Sequence, residues 1–154
     1  MTAAQADSAT TALQAALAAE NAAVFGYGVA GAYLTGTRQA TATTYWNDHR
    51  TAGDTLASLL RARGVQPAAA DAAYKMPFAV RTAKQAASLA VDLEDGVTTG
   101  YLGLVADGDV TLRRMGALAM QACAVRAAYW RGSTVAFPGL PASPQSGSRS
   151  RHMA

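Results

Sequence analysis

The sequence predicts an all-α protein folded as a four-helix bundle, in which two antiparallel helical hairpins are joined by a long crossover. Four segments place apolar residues at alternating steps of three and four, and a glycine follows each segment. About a quarter of the 154 residues are alanine, the best helix former. A chain of this length folds as one domain. We place it at residues 8–133, between a flexible N-terminus at 1–7 and a disordered Pro/Ser/Arg-rich tail at 134–154.

The first two segments form the first predicted hairpin. Helix 1 begins at the cap candidates Asp7 and Ser8 and ends at Gly36, and helix 2 runs from the short link around Thr37 to Gly64. Their inward positions are Leu13, Leu17, Glu20, Val24, Tyr27, Gly31 and Leu34 in helix 1, and Tyr45, His49, Ala52, Leu56 and Leu59 in helix 2. Because the link is short, the two helices run antiparallel.

The last two segments form the second predicted hairpin. Helix 3 begins at Thr82, with Gln85 as its capping-box partner, and the turn at 107–108 ends it. Helix 4 begins at Asp109 and ends at Gly132. Their inward positions are Ala87, Ala90, Glu94, Val97, Tyr101 and Leu104 in helix 3, and Leu112, Met115, Ala119, Ala122, Arg126 and Tyr129 in helix 4.

Residues 65–81 link the two hairpins. The segment holds Pro67 and Pro77, so it is too long for a turn and too broken by proline for a helix. At about 3.3 Å per residue it can span the length of a helix of about 25 residues. We therefore expect it to run from one end of the bundle to the other, with Tyr74 and Phe78 holding it against the outside.

Charge and hydropathy exclude several functional classes. The net charge is +3, but the 13 basic residues are spread along the chain, which argues against nucleic-acid binding. The longest apolar stretch, residues 22–34, is shorter than the roughly 20 residues that span a bilayer, so we expect no membrane association. The only cysteine, Cys123, has no partner for an internal disulfide. A cytoplasmic protein is the expectation.

A polar layer interrupts the apolar positions of the predicted bundle. It consists of Glu20, His49, Glu94 and Arg126, one residue on each predicted helix. Four polar side chains at core positions must balance one another's charges or bind a ligand, because unpaired charges are costly to bury. This layer is therefore the candidate functional site.

The chain resembles the ferritin-like superfamily over residues 8–133. That family's dinuclear iron pattern is a glutamate on helices 1 and 3 and Glu-x-x-His on helices 2 and 4. Glu20, His49 and Glu94 match it, Trp46 replaces the glutamate of helix 2, and Cys123 and Arg126 replace both ligands of helix 4; the pairs are Trp46-x-x-His49 and Cys123-x-x-Arg126.

A narrower resemblance concerns three strings. Residues 19–28, His49-Arg50 with Asp54, and residues 126–130 are similar to an uncharacterised ferritin-like family common in actinobacteria. This resemblance implies the bundle fold and a degenerate metal site, without a known activity.

Charge balance favours a layer without metal. The charges of Glu20 and Glu94 can be balanced by Arg126 and a protonated His49, and the arginine fork can donate to two carboxylates at once. A divalent ion about 5 Å from the guanidinium would cost roughly 6 to 7 kcal/mol of repulsion at an effective dielectric of 20. We therefore favour a structural layer in a binding or interaction module over an enzyme, and we favour no metal or other cofactor.

Three alternatives remain open at this stage. Glu20, His49 and Glu94 could bind one iron, manganese or zinc ion and form a mononuclear metal enzyme or metal-binding protein. A small-molecule ligand could bind in the bundle core beside the layer, in a candidate pocket formed by Tyr27, Tyr45, Trp46, Tyr129 and Cys123. Cys123 could also be a redox thiol, because the nearby Arg126 would lower the pKa of its thiol. The structural interpretation of the same residues is that the tyrosines fill a shallow core and that Cys123 only packs against its neighbours.

Two apolar residues on the outside of the predicted bundle bear on its oligomeric state. Phe25 and Leu60 are apolar residues outside the inward positions. Apolar side chains on the outer surface favour self-association, so we expect a homodimer.

Overall fold

Thr2 caps the first helix of the computed structural model, which describes residues 2–140. The Thr2 side chain accepts a hydrogen bond from the backbone N–H of Gln5, and the Gln5 side chain accepts one from the backbone N–H of Thr2. Helix α1 therefore spans Ala3–Gly31 and begins before the predicted cap at Asp7. The prediction of a flexible segment at 1–7 is wrong for residues 3–7, which are helical.

The four-helix bundle is confirmed. The helices after α1 are α2 (Gly36–Ala62), α3 (Ala83–Gly100), α4 (Leu102–Val105) and α5 (Val110–Arg131). Helix α1 packs against α2 and α3, and α3 packs against α5. The predicted third helix is divided at Tyr101, where α3 ends and the short α4 continues toward the turn.

The crossover between the hairpins has the length expected from the sequence, since it links α2 at Ala62 to α3 at Ala83. The ring of Tyr74 packs against Phe25 with 5.5 Å between centroids, and Phe78 packs against the buried core. Phe25 is thus covered by the crossover, and Leu60 is fully buried. Neither residue provides the outer apolar surface from which the homodimer was predicted.

Two apolar clusters form the core and divide it along the bundle. One is mainly aliphatic and is built around Leu13, Leu17, Leu56, Leu60, Val97 and Leu112. The other contains more aromatic rings and is built around Tyr27, Leu34, Leu89 and Trp130. The polar residues of α1, α2 and α3 lie where the two clusters meet.

The segment after α5 is not disordered throughout, contrary to the prediction for 134–154. The carbonyl of Gly139 accepts a hydrogen bond from Thr99 Oγ1 at 2.7 Å, so residues near 139 lie against α3. Residues 141–154 lie outside the described part of the chain. Among the helices of residues 2–140, none combines the length and the apolar character needed to cross a membrane.

Candidate functional site

Glu20, His49 and Glu94 meet in the core, on α1, α2 and α3. Their exposed fractions are 2%, 1% and 0%. The Nδ1 of His49 lies 2.6 Å from Glu20 Oε2, and its Nε2 lies 3.2 Å from Glu94 Oε1. The imidazole therefore bridges two carboxylates that come from different helices.

The bridging position determines the charge of His49. Ionised carboxylates only accept hydrogen bonds, so both ring nitrogens must carry a proton to donate to them. Burial by itself lowers the pKa of His49, but the hydrogen bonds and charges of Glu20 and Glu94 outweigh burial and raise it to about 9. His49 is thus an imidazolium ion at neutral pH.

Two tyrosines complete the layer. Tyr101 donates its hydroxyl to Glu20 Oε1 at 2.7 Å, and Tyr27 donates to Glu94 Oε1 at 2.6 Å. The Nε1 of Trp130 donates to the Tyr27 hydroxyl at 2.8 Å. Burial, with the nearby glutamate charge, raises the pKa of both tyrosines, which therefore stay neutral donors.

The role of these tyrosines was missed at the sequence level, although a signal was present. Each layer glutamate is followed by a tyrosine seven residues later on the same chain segment: Glu20 by Tyr27 and Glu94 by Tyr101. Because α1 and α3 run antiparallel, each tyrosine reaches the glutamate of the other helix. Nothing in the sequence pattern pointed to Trp130, which was predicted neither as a core nor as a site residue.

Arg126 does not join the layer as predicted. Its Nη2 donates to Asp48 Oδ2 at 2.9 Å, and its guanidinium lies 5.1 Å from the centre of the Tyr45 ring. Among residues 2–140 it forms no ion pair with Glu20 or Glu94. Its charge still acts on the layer: burial is the largest single influence and lowers the pKa of Arg126, but Glu94 and the other acidic groups around it, Asp48 among them, together outweigh burial and the net shift is upward. The predicted fork that donates to both carboxylates is wrong.

Arg126 was predicted to face inward because the buried face of α5 was assigned one residue too early. The buried positions of this helix are Leu112, Gly116, Cys123, Ala127 and Trp130. The predicted inward series included Ala122, Arg126 and Tyr129, each one residue before the observed positions. A one-residue shift rotates the face by about 100°, so Cys123 enters the core and Arg126 points toward α2.

Cys123 is buried beside Glu94 and not in a cationic environment. Burial, together with the charges of Glu94 and Glu20, raises the pKa of the thiol. Arg126 does act to lower this pKa, as expected, but its effect is smaller than those of burial and the two carboxylates, so the net shift is upward. Glu94 Oε2 has no hydrogen-bond partner among residues 2–140. The thiol of Cys123 is a weak donor toward the Glu94 carboxylate and leaves Oε2 unpaired.

The aromatic residues of the candidate pocket pack against one another. Tyr45 stands edge-on to both Tyr27 and Tyr129, with ring centroids 6.3 and 6.2 Å apart. Trp46 lies outside the polar layer, where its Nε1 donates to the carbonyl of Val24 at 3.0 Å. Tyr27, Tyr45 and Tyr129 thus converge, but only Tyr27 is in the core, since Tyr45 is partly buried and Tyr129 is 43% exposed.

Both ring nitrogens of His49 are turned toward carboxylates rather than toward an open ligand position. Among residues 2–140, no three or more His, Cys, Asp or Glu side chains are arranged to hold a metal ion. The physical reason is His49, because an imidazole with both nitrogens donating to carboxylates has no lone pair for a metal. A dinuclear iron pair does not fit this layer as it stands.

Fold and site together define an all-helical bundle with a buried carboxylate–imidazolium–carboxylate layer. The chain belongs to the family described as "Domain of unknown function (DUF4439)", which matches residues 12–142. It is also similar to the crystal structure of a conserved hypothetical protein, rv2844, from Mycobacterium tuberculosis. The TM-score is 0.78 at 29% sequence identity, and the match covers 86% of this chain and 98% of that one. The search of curated proteins gives no match.

Proposed function

We propose that this protein is a ferritin-like bundle that acts in the cytoplasm as a binding or interaction module, without a dinuclear iron centre and without catalytic activity. The observation that carries the proposal is the position of His49 between Glu20 and Glu94. One imidazolium and two tyrosine donors take up the carboxylate charge that two iron ions would otherwise balance. The core is thereby stabilised without a cofactor.

Metal analysis tests this proposal. The protein is expressed with added iron and manganese, purified without chelators, and measured for metal per chain. We expect much less than one metal ion per chain. Two metal ions per chain would contradict the proposal, and the Asp54→Ala variant, which removes an exposed carboxylate outside the layer, controls for surface binding.

One observation favours a second candidate, a site for a single divalent metal that uses Glu20, His49 and Glu94. Glu94 Oε2 is fully buried and unpaired, and an unpaired buried carboxylate oxygen is a good metal ligand. Metal binding there would require His49 to release at least one carboxylate and lose a proton. This candidate expects one metal per chain in the native protein and none in Glu20→Ala, His49→Ala or Glu94→Ala. Retained uptake in all three variants would eliminate it.

We also propose that the chain forms a homodimer, now through α5. Leu118, Val125 and Tyr129 are 56%, 64% and 43% exposed and follow one another at steps of seven and four. Small-angle scattering tests this: a monomer at all concentrations would contradict it. If the protein is a dimer, Val125→Glu should shift the equilibrium to the monomer. Val110→Glu is the control, since it changes an exposed residue apart from Leu118, Val125 and Tyr129, and it should leave the dimer intact.

A further inference from the structure

A cavity of about 390 Å³ lies between α1, α2 and the crossover. Its innermost lining residue is His49 of the polar layer, and Arg50, Asp54 and Arg61 of α2 line its wall. Gln14 holds the opposite wall in place, because its side chain donates to the carbonyl of Gln66 at 2.8 Å and accepts from the backbone N–H of Ala68 at 2.9 Å. The crossover therefore forms a fixed cover over the groove between the first two helices.

The charged side chains of the cavity have no ionic partners. Among residues 2–140, none of Arg50, Asp54 and Arg61 takes part in an ion pair. The guanidinium of Arg50 is held in place over the ring of Trp46, at 4.7 Å from its centre. The charge of His49 is compensated by Glu20 and Glu94, so the two arginines and one aspartate of α2 leave this wall with a net charge of +1, which a monoanion balances and a dianion does not.

The rest of the lining is apolar or neutral. Leu17 and Val24 of α1, Ala57 of α2 and the alanines at 68–70 contribute the apolar part, and the amide of Asn21 contributes a neutral polar group. Sites for small organic molecules commonly combine such an apolar surface with a few polar groups that fix orientation. Arginine matches the planar geometry of a carboxylate.

We propose that this cavity binds a small monocarboxylate with an apolar body, whose carboxylate pairs with Arg61, while Arg50, held over Trp46 further along α2, adds positive charge at longer range. The inference rests on the proposed role as a binding module and names the ligand class of that role. The apolar body lies against Leu17, Val24 and Ala57, and Asp54 disfavours ligands with a second negative charge.

Three probes with the same alkyl chain test the head group. Octanoate, octanol and octylamine are titrated into the full-length protein by calorimetry and by ¹H–¹⁵N NMR. We expect saturable binding of one octanoate per chain, with the largest amide shifts at Asn21, Gly53 and Ala68. Octylamine and octanol should bind at least tenfold more weakly. No saturable octanoate binding, or equal binding of the three probes, would overturn the proposal.

Two variants locate the site, with a matched control. Arg50→Gln combined with Arg61→Gln should weaken octanoate binding at least tenfold, and Ala57→Leu, which fills the cavity with apolar atoms, should weaken it similarly. Lys84→Gln removes an exposed cation far from the cavity and should change affinity less than twofold. Unchanged affinity in Ala57→Leu would overturn the proposal even if the arginine variant fails to fold. A pair of metal ions in the core would instead contradict the proposed function and leave the cavity test intact.

Discussion

The two carboxylates of the polar layer occupy equivalent positions in unequal surroundings. Glu20 uses both oxygens, one toward His49 and the other toward the Tyr101 hydroxyl. Glu94 receives both His49 and the Tyr27 hydroxyl on the same oxygen, Oε1, and its Oε2 is unpaired among residues 2–140. The Glu20 half of the layer is therefore saturated, and the Glu94 half retains an acceptor.

The length of the hydrogen bonds agrees with this difference. His49 lies 2.6 Å from Glu20 and 3.2 Å from Glu94, so the imidazolium is held more closely by the saturated half. The buried thiol of Cys123 and the charge of Arg126 both act on Glu94. A ligand that enters the layer should therefore engage Glu94 first, and the Glu20 half should remain as the structural anchor.

Replacing His49 with alanine removes the cation shared by both halves and should have the largest effect. Two buried carboxylates would then face each other without compensation, at a cost of about 3 to 5 kcal/mol in the free energy of unfolding. Urea denaturation at pH 7 measures this loss. The control is Arg50→Ala, which removes an exposed cation on the same helix. It should lower the free energy of unfolding by less than about 1 kcal/mol, as is usual for surface substitutions. A His49→Ala protein as stable as that control would contradict the bridging role.

The pH dependence of stability should be nearly as large. The pKa of His49 is raised in the folded state from 6.5 to about 9, so the protonated ring stabilises the fold fully below pH 6.5. This contribution is lost as the pH rises through 9 and amounts to about 3 kcal/mol. Denaturation between pH 6 and 9.5 should show the decline in the native protein and not in His49→Gln. The same slope in both proteins would mean that another group titrates.

Replacing Arg126 with alanine should destabilise the protein less than it would if Arg126 belonged to the polar layer, as the sequence predicted. The side chains of Arg126 and Asp48 are 18% and 45% exposed, and solvent screens such pairs, so the loss should be about 1 kcal/mol or less. A double-mutant cycle with Asp48→Ala isolates the pair. A loss of about 3 kcal/mol or more that persists in the absence of Asp48 would show that Arg126 does compensate the carboxylates of the layer.

The smallest effect should come from Cys123 and concerns only the Glu94 half. A serine at this position offers a stronger donor to the Glu94 carboxylate than a thiol does. Cys123→Ser should therefore be more stable than Cys123→Ala by about 0.5 to 1.5 kcal/mol, the usual net value of a hydrogen bond. Denaturation of the two variants under one condition compares them. A serine variant no more stable than the alanine variant would show that Oε2 is already satisfied.

The fold was predictable because its signals are local. Gly64 after α2 and Gly132 after α5, the threonine and aspartate caps at Thr82 and Asp109, and the proline-broken crossover each define an element from a few neighbouring residues. The predicted end of helix 1 at Gly36 is wrong, because α1 ends at Gly31 and Gly36 begins α2. The first helix was placed late because Thr2 and Gln5 cap it just as well as the predicted residues further on.

The site was predictable only in part. The positions of Glu20, His49 and Glu94 follow from inward periodicity on three helices. The fourth helix is rich in alanine, so a one-residue change of face alters its periodicity little, and the sequence does not distinguish Cys123 from Ala122 as the inward residue. The pairing of the tyrosines with the glutamates depends on the antiparallel contact of α1 and α3, which is a tertiary property.

The protonation state of His49 tests the central claim most directly. The protein is labelled with ¹⁵N in its histidine rings, and the ring nitrogens of His49 are followed by NMR from pH 5 to 10, with His49→Gln used for assignment. We expect both nitrogens to be protonated at pH 7 and to titrate together near pH 9. A neutral ring with a single N–H at pH 7, or a nitrogen bound to metal, would contradict a core held together by an imidazolium between two carboxylates.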